Sequence, residues 1–310
     1  MSVFRRPVIW LTELAAVRGA IERTRPGRAV AGRFVAGASL EDGIRAAGSL
    51  RGRGIASILD HLGENVDSPA QASEATDAYI RALERLHESP GLDGCISVKL
   101  TQLGLDQGVD LCRDNMLRVL KAASAAEPRT LVMIDMESRG YVDRTLDLYL
   151  SLRDDHPDVG VALQACLLRT DDDVERIGGP GAIVRMTKGA YLEPPEFVHR
   201  TRAEVSASFA RASRRLLERG STVHFATHDP RLVDGARGHV HRKGLPPDRY
   251  EFQMLFGIRR DLQGALVAAG EPVRVYIPYG TRWYPYLTRR MAERPANMWF
   301  FLSNLIRWRR

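Results

Sequence analysis

Tyr286, Arg289 and Arg290 are spaced i, i+3, i+4 in the stretch Tyr286-Leu-Thr-Arg289-Arg290-Met-Ala-Glu293. On a helix all three side chains project to neighbouring positions, and Glu293 continues the same face. Two adjacent guanidiniums repel unless an anion lies between them, and a carboxylate suits their fork geometry. A charged surface helix with Glu293 as its ion-pair partner would account for the arginines but leaves Tyr286 without a task.

A second set of polar residues sits at the ends of short apolar runs: Asp60, Lys99, Asp135, Gln164, Arg185 with Lys188, Thr227 with His228, then Tyr276 and Tyr279. Taken singly, each has a bland explanation, such as a lysine at a rim or a satisfied core histidine. As a set they point to one polar mouth. Three cationic groups at one rim, Lys99, Arg185 and Lys188, argue for an anionic cofactor or substrate. Lys188 alone also leaves open a Schiff base, as in aldolases and lyases. No G-x-S-x-G, H-E-x-x-H or Walker sequence competes. His239-Val-His241 reads as a solvated loop rather than a metal site.

The elements that must position these residues follow from the pattern of apolar runs. Runs at 54–62, 95–100, 130–136, 160–165, 182–189, 223–228, 250–255 and 273–280 read as strands buried on both faces. Stretches of helical period lie between them, at 70–86, 111–125, 142–154, 196–219 and 261–269, with another opened by Asp229-Pro230. Eight buried strands, each followed by a helix, describe a closed parallel (βα)8 TIM barrel of the α/β class, whose chemistry lies at the C-terminal strand ends. Gly52-Arg-Gly54-Ile-Ala-Ser57 lacks the third glycine of a dinucleotide fingerprint and runs into a strand. The expected organisation is an N-terminal helical segment over 1–50, a catalytic barrel over 51–297 and a basic, aromatic C-terminal helical tail over 298–310.

Length and composition narrow the class. The 310 residues carry 45 Lys and Arg against 38 Asp and Glu, a net charge of +7, with 44% hydrophobic and 27% charged residues. That is the balance of a globular protein, and no uninterrupted apolar run reaches the length of a membrane span. Three cysteines without a C-x-x-C give neither a disulfide framework nor a zinc site, which fits a reducing cytoplasm. Glu13 interrupts the apolar start, so an amphipathic helix is expected there rather than a signal peptide. Basic runs with interleaved aromatics, the mark of nucleic-acid binding, are missing. The tail Asn304-Leu-Ile-Arg307-Trp308-Arg309-Arg310 reads first as a solvated end and second as a foot on the inner face of a membrane.

Six segments together resemble the proline dehydrogenase family: ISVKLTQLGLD (96–106), IDME (134–137), RMTKGAY (185–191), FATHDPR (225–231), YEFQMLFGI (250–258) and VRVYIPYGTRWYPYLTRRMAERPAN (273–297). The resemblance runs in order along every barrel strand and suggests the monofunctional bacterial type. It implies non-covalent FAD, oxidation of L-proline to Δ1-pyrroline-5-carboxylate by hydride transfer to flavin N5, and electrons passed to a membrane quinone. By analogy Arg289, Arg290 and Lys99 pair with the proline carboxylate, and Tyr276, Tyr286 and Leu255 enclose the ring. Asp135 supports Lys99, and Glu64 gates the site by pairing with Arg289. Gln164, Arg185, Thr187, Lys188, Gly189, Ala190, Thr227, His228 and Glu293 match positions that hold the flavin, with Arg185 near N5. No aldehyde dehydrogenase sequence accompanies these segments, so the product's next oxidation falls to a separate enzyme. Family members usually carry a carboxylate at Ser138, and often Tyr at Cys166 and Val at Thr187. These departures keep a biosynthetic dehydrogenase of a proline analogue open, and raise the question of whether the Thr187 hydroxyl tunes the flavin.

Overall fold

The computed structural model describes residues 32–293 apart from residue 128, and the side chains of 289–293 lie outside that description. The helix expected near Glu13 and the basic tail therefore fall outside the described residues. Of the expected N-terminal helices, α1 (Leu40–Arg51) is described. Ser39 starts it with a capping box: its hydroxyl accepts from the Asp42 amide, and Asp42 accepts from the Ser39 amide.

Eight strands then alternate with helices. They are β1 (Ala56–His61), β2 (Gly94–Val98), β3 (Leu131–Ile134), β4 (Val159–Gln164), β5 (Ile183–Thr187), β6 (Thr222–Ala226), β7 (Tyr250–Leu255) and β8 (Val273–Tyr279). Each pairs in parallel with its neighbours in chain order, and β8 pairs with β1 from Ala56↔Arg274 to His61↔Tyr279, which closes the barrel. The connecting helices are α2 (Pro69–His87), α3 (Val109–Ala123), α4 (Val142–Leu152), α5 (Thr170–Ile177), α6 (Arg202–Glu218), α7 (Pro230–Arg242) and α8 (Arg260–Ala268), and α9 (Trp283–Glu293) follows β8.

Each strand sends alternate side chains outward against the helices and inward to the barrel axis. The outward set, including Ile96, Val98, Val132, Ile134, Val161, Val184, Val223, Phe252, Val275 and Ile277, is fully buried in one continuous apolar layer. Each such side chain contributes about 1.5–3 kcal/mol relative to exposure. The inward set begins with a small apolar plug of Ile58, Cys95 and Met133. Many of the remaining inward positions are polar, and some of their hydrogen bonds join strands that are not neighbours, as between Arg185 on β5 and Gln253 on β7. Such bonds must cross the barrel interior.

Residues 33–37 are stitched to the end of β8. Ala36 donates to the Pro278 carbonyl at 2.8 Å, and Gly280 donates to the Gly37 carbonyl at 2.9 Å. Phe34 and Val35 pack with Leu62, Tyr284, Tyr286 and Leu287 in a separate apolar cluster. Gly257, in the loop after β7, has φ of +74°, and a Cβ there would sit 1.7 Å from the Arg33 carbonyl oxygen, so only glycine fits.

Two expectations change. The helix expected over 196–219 begins at Arg202, because the 3₁₀ turn Pro195–Phe197 precedes it and Thr201 caps it with Glu204. His239-Val-His241 lies in the last turn of α7 rather than in a loop, and His241 contacts the Glu271 carboxylate at 2.9 Å. The helical period continues to Arg242, so the basic composition misled.

Candidate active site

Lys99 and Asp135 stand one residue past β2 and β3, where the chain leaves the barrel at its C-terminal rim. Lys99 Nζ lies 2.9 Å from Asp60 Oδ1 and 3.2 Å from Asp135 Oδ2. Tyr276 donates to the same Asp135 Oδ2 at 2.8 Å. Asp135 Oδ1 accepts from Arg185 Nη1 at 2.6 Å and from Ser97 Oγ at 2.6 Å. Four strands thus converge on one carboxylate.

Burial and charge compete at this cluster. Burial would push the Lys99 ammonium down, but the Asp60 and Asp135 carboxylates outweigh it and hold its pKa well above the usual lysine range. Burial would raise Asp135, and Lys99 and Arg185 overcome that to leave it below the ordinary carboxylate value. Burial, reinforced by Asp135, holds the Tyr276 phenol protonated and hence a donor. Lys99 and Asp135 therefore form a fixed ion pair, and neither is a base poised near neutrality.

A cavity of about 700 Å³ opens above this cluster. Of the residues singled out from the sequence, Asp60, Lys99, Asp135, Arg185, Thr187, Lys188, Gly189, Ala190, Thr227, His228, Leu255, Tyr276 and Tyr286 line it. Gln164 stands behind the wall, donating to the Glu137 carbonyl at 2.7 Å. Glu64 follows β1 and does not line this cavity. The backbones of Arg289, Arg290 and Glu293 belong to α9, whose first turn delivers Tyr286 to the cavity. Tyr279 departs from expectation. Strand parity turns it outward, where its ring lies 5.5 Å from that of His61 and against Gly43 of α1.

The far wall belongs to β5, β6 and the loop into α6. Lys188 Nζ pairs with Asp229 at 2.8 Å and contacts Ser206 Oγ at 3.2 Å. The Leu255 amide donates to His228 Nε2 at 2.9 Å, which assigns the proton of a neutral ring to Nδ1. Thr187 donates its hydroxyl to the Leu163 carbonyl at 2.9 Å, so that hydroxyl serves the β4–β5 seam. Arg139, in the turn that follows β3, reaches this loop: its guanidinium lies 3.7 Å over the Phe197 ring, and its amide donates to Glu193 at 2.8 Å.

A dinucleotide with a flat ring and phosphates fits this wall. Gly189 has φ of +97°, and a Cβ there would meet Cys166 Sγ at 2.2 Å, so the wall is bare backbone at that point. Arg185 is 4% exposed and lines the cavity, yet its Nη2 has no hydrogen-bond partner among the described residues. A buried guanidinium nitrogen left open asks for an acceptor. The start of α7, at Asp229 and Pro230, also borders the cavity, and a helix N-terminus beside Lys188 suits a phosphate.

Sequence reasoning passed over Asp229, Ser206, Gln253 and the interior residues below them. Asp229 was visible as a helix cap but not as the partner of Lys188. Gln253 was visible through parity, since Glu251, Gln253 and Leu255 alternate along β7. Among the described residues there is no cluster of His, Cys, Asp and Glu that could hold a metal, and no helix is long and apolar enough to cross a membrane.

Comparison with known proteins points the same way. Residues 43–302 match the proline dehydrogenase family. The chain is 39% identical over 283 residues to a proline dehydrogenase of Deinococcus radiodurans, covering 90% of each chain. It is 34% identical over 278 residues to proline dehydrogenase 2 of Bacillus subtilis strain 168, covering 90% of this chain and 91% of the other. Among solved structures, proline utilization A from Bdellovibrio bacteriovorus, inactivated by N-propargylglycine, superposes with a TM-score of 0.80 at 23% identity. That match covers 93% of this chain and 36% of the longer one, and it supports the shared fold.

Proposed function

The chain belongs to the proline dehydrogenase family, and on that premise we propose that it oxidises L-proline to Δ1-pyrroline-5-carboxylate with FAD held in the cavity above Lys99. The observation that carries this reading is the convergence of Lys99, Asp135, Arg185 and Tyr276 on one cavity whose opposite wall is built for a phosphate-bearing ligand. When bound, FAD supplies the acceptor for a hydride at its N5.

The residues then divide the work. Lys99, fixed by its two carboxylates, offers its remaining ammonium hydrogen to the substrate carboxylate, and Arg289 and Arg290 on α9 close on the same group. Anchoring a small amino acid by its carboxylate fixes the carbon beside the ring nitrogen, and orientation of that kind can lower a barrier by several kcal/mol, up to about 7–11. Tyr276, Tyr286 and Leu255 enclose the apolar ring and exclude water, and Glu64 acts at the entrance. The ring ammonium must give up a proton, and the surrounding cations favour that loss. Lys188, Thr227, His228, Gly189 and Ala190, with Gln164, Thr187 and Glu293, serve the flavin, and Arg185 faces its electron-accepting end.

Electrons pass on to a quinone, the basic tail gives weak contact with the inner membrane surface, and a separate dehydrogenase takes up the product. The barrel forms the catalytic unit between the N-terminal segment and that tail. A Schiff base at Lys188 would have to break its 2.8 Å ion pair with Asp229 and its contact to Ser206.

Purified protein is expected to be yellow, and anaerobic L-proline is expected to bleach it. A colourless protein that takes up no FAD, or a flavin that L-proline leaves unchanged, would overturn the reading. Running hydroxyproline, pipecolate and related amines beside proline tests the substrate.

A further inference from the structure

Beneath the mouth, the barrel interior holds four polar residues to which the reaction gives no role: His224, Glu251, Gln253 and Arg274, all buried. Gln253 links them to the site. Its Oε1 accepts from Arg185 Nε at 2.7 Å, and its Nε2 donates to Glu251 Oε1 at 2.6 Å and lies 2.9 Å from His224 Nδ1. Burial pushes His224 down to about 4, so its ring is neutral and Nδ1 is free to accept. Both N–H groups of the carboxamide are thereby committed, and its oxygen can face only Arg185.

The lock extends downward. Arg274 Nε lies 2.9 Å from each oxygen of Glu251, and its Nη1 reaches the Ser57 carbonyl at 3.2 Å and Asp93 Oδ1 at 3.0 Å. It also extends upward, since Arg185 Nη1 goes to Ser97 at 3.0 Å and Asp135 at 2.6 Å. A column of side chains along the barrel axis therefore fixes two of the three guanidinium nitrogens of Arg185 and leaves Nη2 open. An arginine is rich in rotamers, and such a frame removes that freedom before any ligand arrives.

We propose that Gln253, held by Glu251 and His224, is the positioning residue that sets where Arg185 presents Nη2 to the electron-accepting end of the flavin. The inference rests on the flavin reading of the same site. A core network serving stability alone would not need the Gln253 carboxamide to be oriented from both sides.

The test compares full-length, flavin-loaded wild type with Gln253→Met and Glu251→Gln, reading the midpoint potential of the bound flavin, the rate of its reduction by proline and the proline dissociation constant. Gln253→Met keeps length and volume but lacks the acceptor for Nε. A displaced cation stabilises the electron-rich flavin less, so the potential falls by about 30 mV, equivalent to a tenfold change in a two-electron equilibrium. Reduction slows about tenfold, while proline affinity stays within twofold. Glu251→Gln frees the amide to turn and shifts the potential in the same direction by less. A wild-type potential in both variants, with only the thermal midpoint lowered, overturns the inference while leaving the flavin reading intact. Should Gln253→Met fail to fold, Glu251→Gln decides by the same potential. A wild type that holds no flavin, or whose flavin proline does not bleach, removes both readings together.

Discussion

Lys99 and Asp60 form an ion pair of 2.9 Å at the centre of the barrel mouth, with Lys99 7% and Asp60 1% exposed. Along the interior, three carboxylates (Asp60, Asp135, Glu251) stand against three cations (Lys99, Arg185, Arg274), each in contact with a member of the other sign. The column is thus electrically balanced, and removing one member leaves an excess in a medium that screens poorly.

Asp60→Asn takes one anion from Lys99 and keeps the shape. Breaking a buried pair by removing one partner costs about 3–5 kcal/mol, and the retained amide oxygen lowers that to about 2–3 kcal/mol. Thermal unfolding of the flavin-loaded protein is expected to show the loss. An unchanged midpoint would mean that Asp135 alone holds Lys99.

On the proposed function, Arg290→Met or Arg289→Met would remove a charge-assisted contact to the substrate carboxylate, worth about 1.5–3 kcal/mol. kcat/KM for proline is expected to fall by one to two orders of magnitude with flavin content unchanged. Loss of flavin with intact proline kinetics would reverse the assigned roles.

Lys188→Met withdraws the cation beside the start of α7. The dissociation constant for FAD, followed by flavin fluorescence, is expected to rise about tenfold, with the proline KM unaffected at saturating flavin. A proline KM that rises instead would move Lys188 to the substrate.

His224 stays neutral in the folded chain down to about pH 4, whereas an unfolded histidine takes its proton near 6.5. Unfolding therefore draws in a proton throughout that window. Stability is fully present above 6.5 and is lost as pH falls through the window, by up to about 3 kcal/mol. His224→Gln cannot titrate, so thermal midpoints measured from pH 7 to pH 4 are expected to converge with those of the wild type at the acid end. Parallel curves would show that His224 is not the group responsible.

Much of this architecture was legible in the sequence because a parallel barrel buries both faces of its strands. Runs such as 130–136 and 250–255 stand out, and β3 and β7 fall inside them. The short helix Thr170–Ile177 went unnamed because three successive aspartates dilute its apolar face. At the site, residue type revealed Lys99, Asp135 and Arg185. Parity, which decides the face, was needed to turn Tyr279 outward and to bring Glu251 and Gln253 inward. Distance supplied the rest: Asp229 and Lys188 are 2.8 Å apart in space but separated along the chain by the whole of α6.

The stitching of residues 33–37 to the end of β8 has a mechanical side. α9 carries Arg289 and Arg290, the residues proposed to hold the substrate carboxylate, and its first turn leans on Phe34 and Val35 as on a strap. On the proposed function, loosening that strap is expected to weaken the hold on proline more than the hold on the flavin, because the strap packs against α9 and not against the wall at Lys188. Substrate affinity is thereby placed within reach of a part of the chain that takes no part in the chemistry.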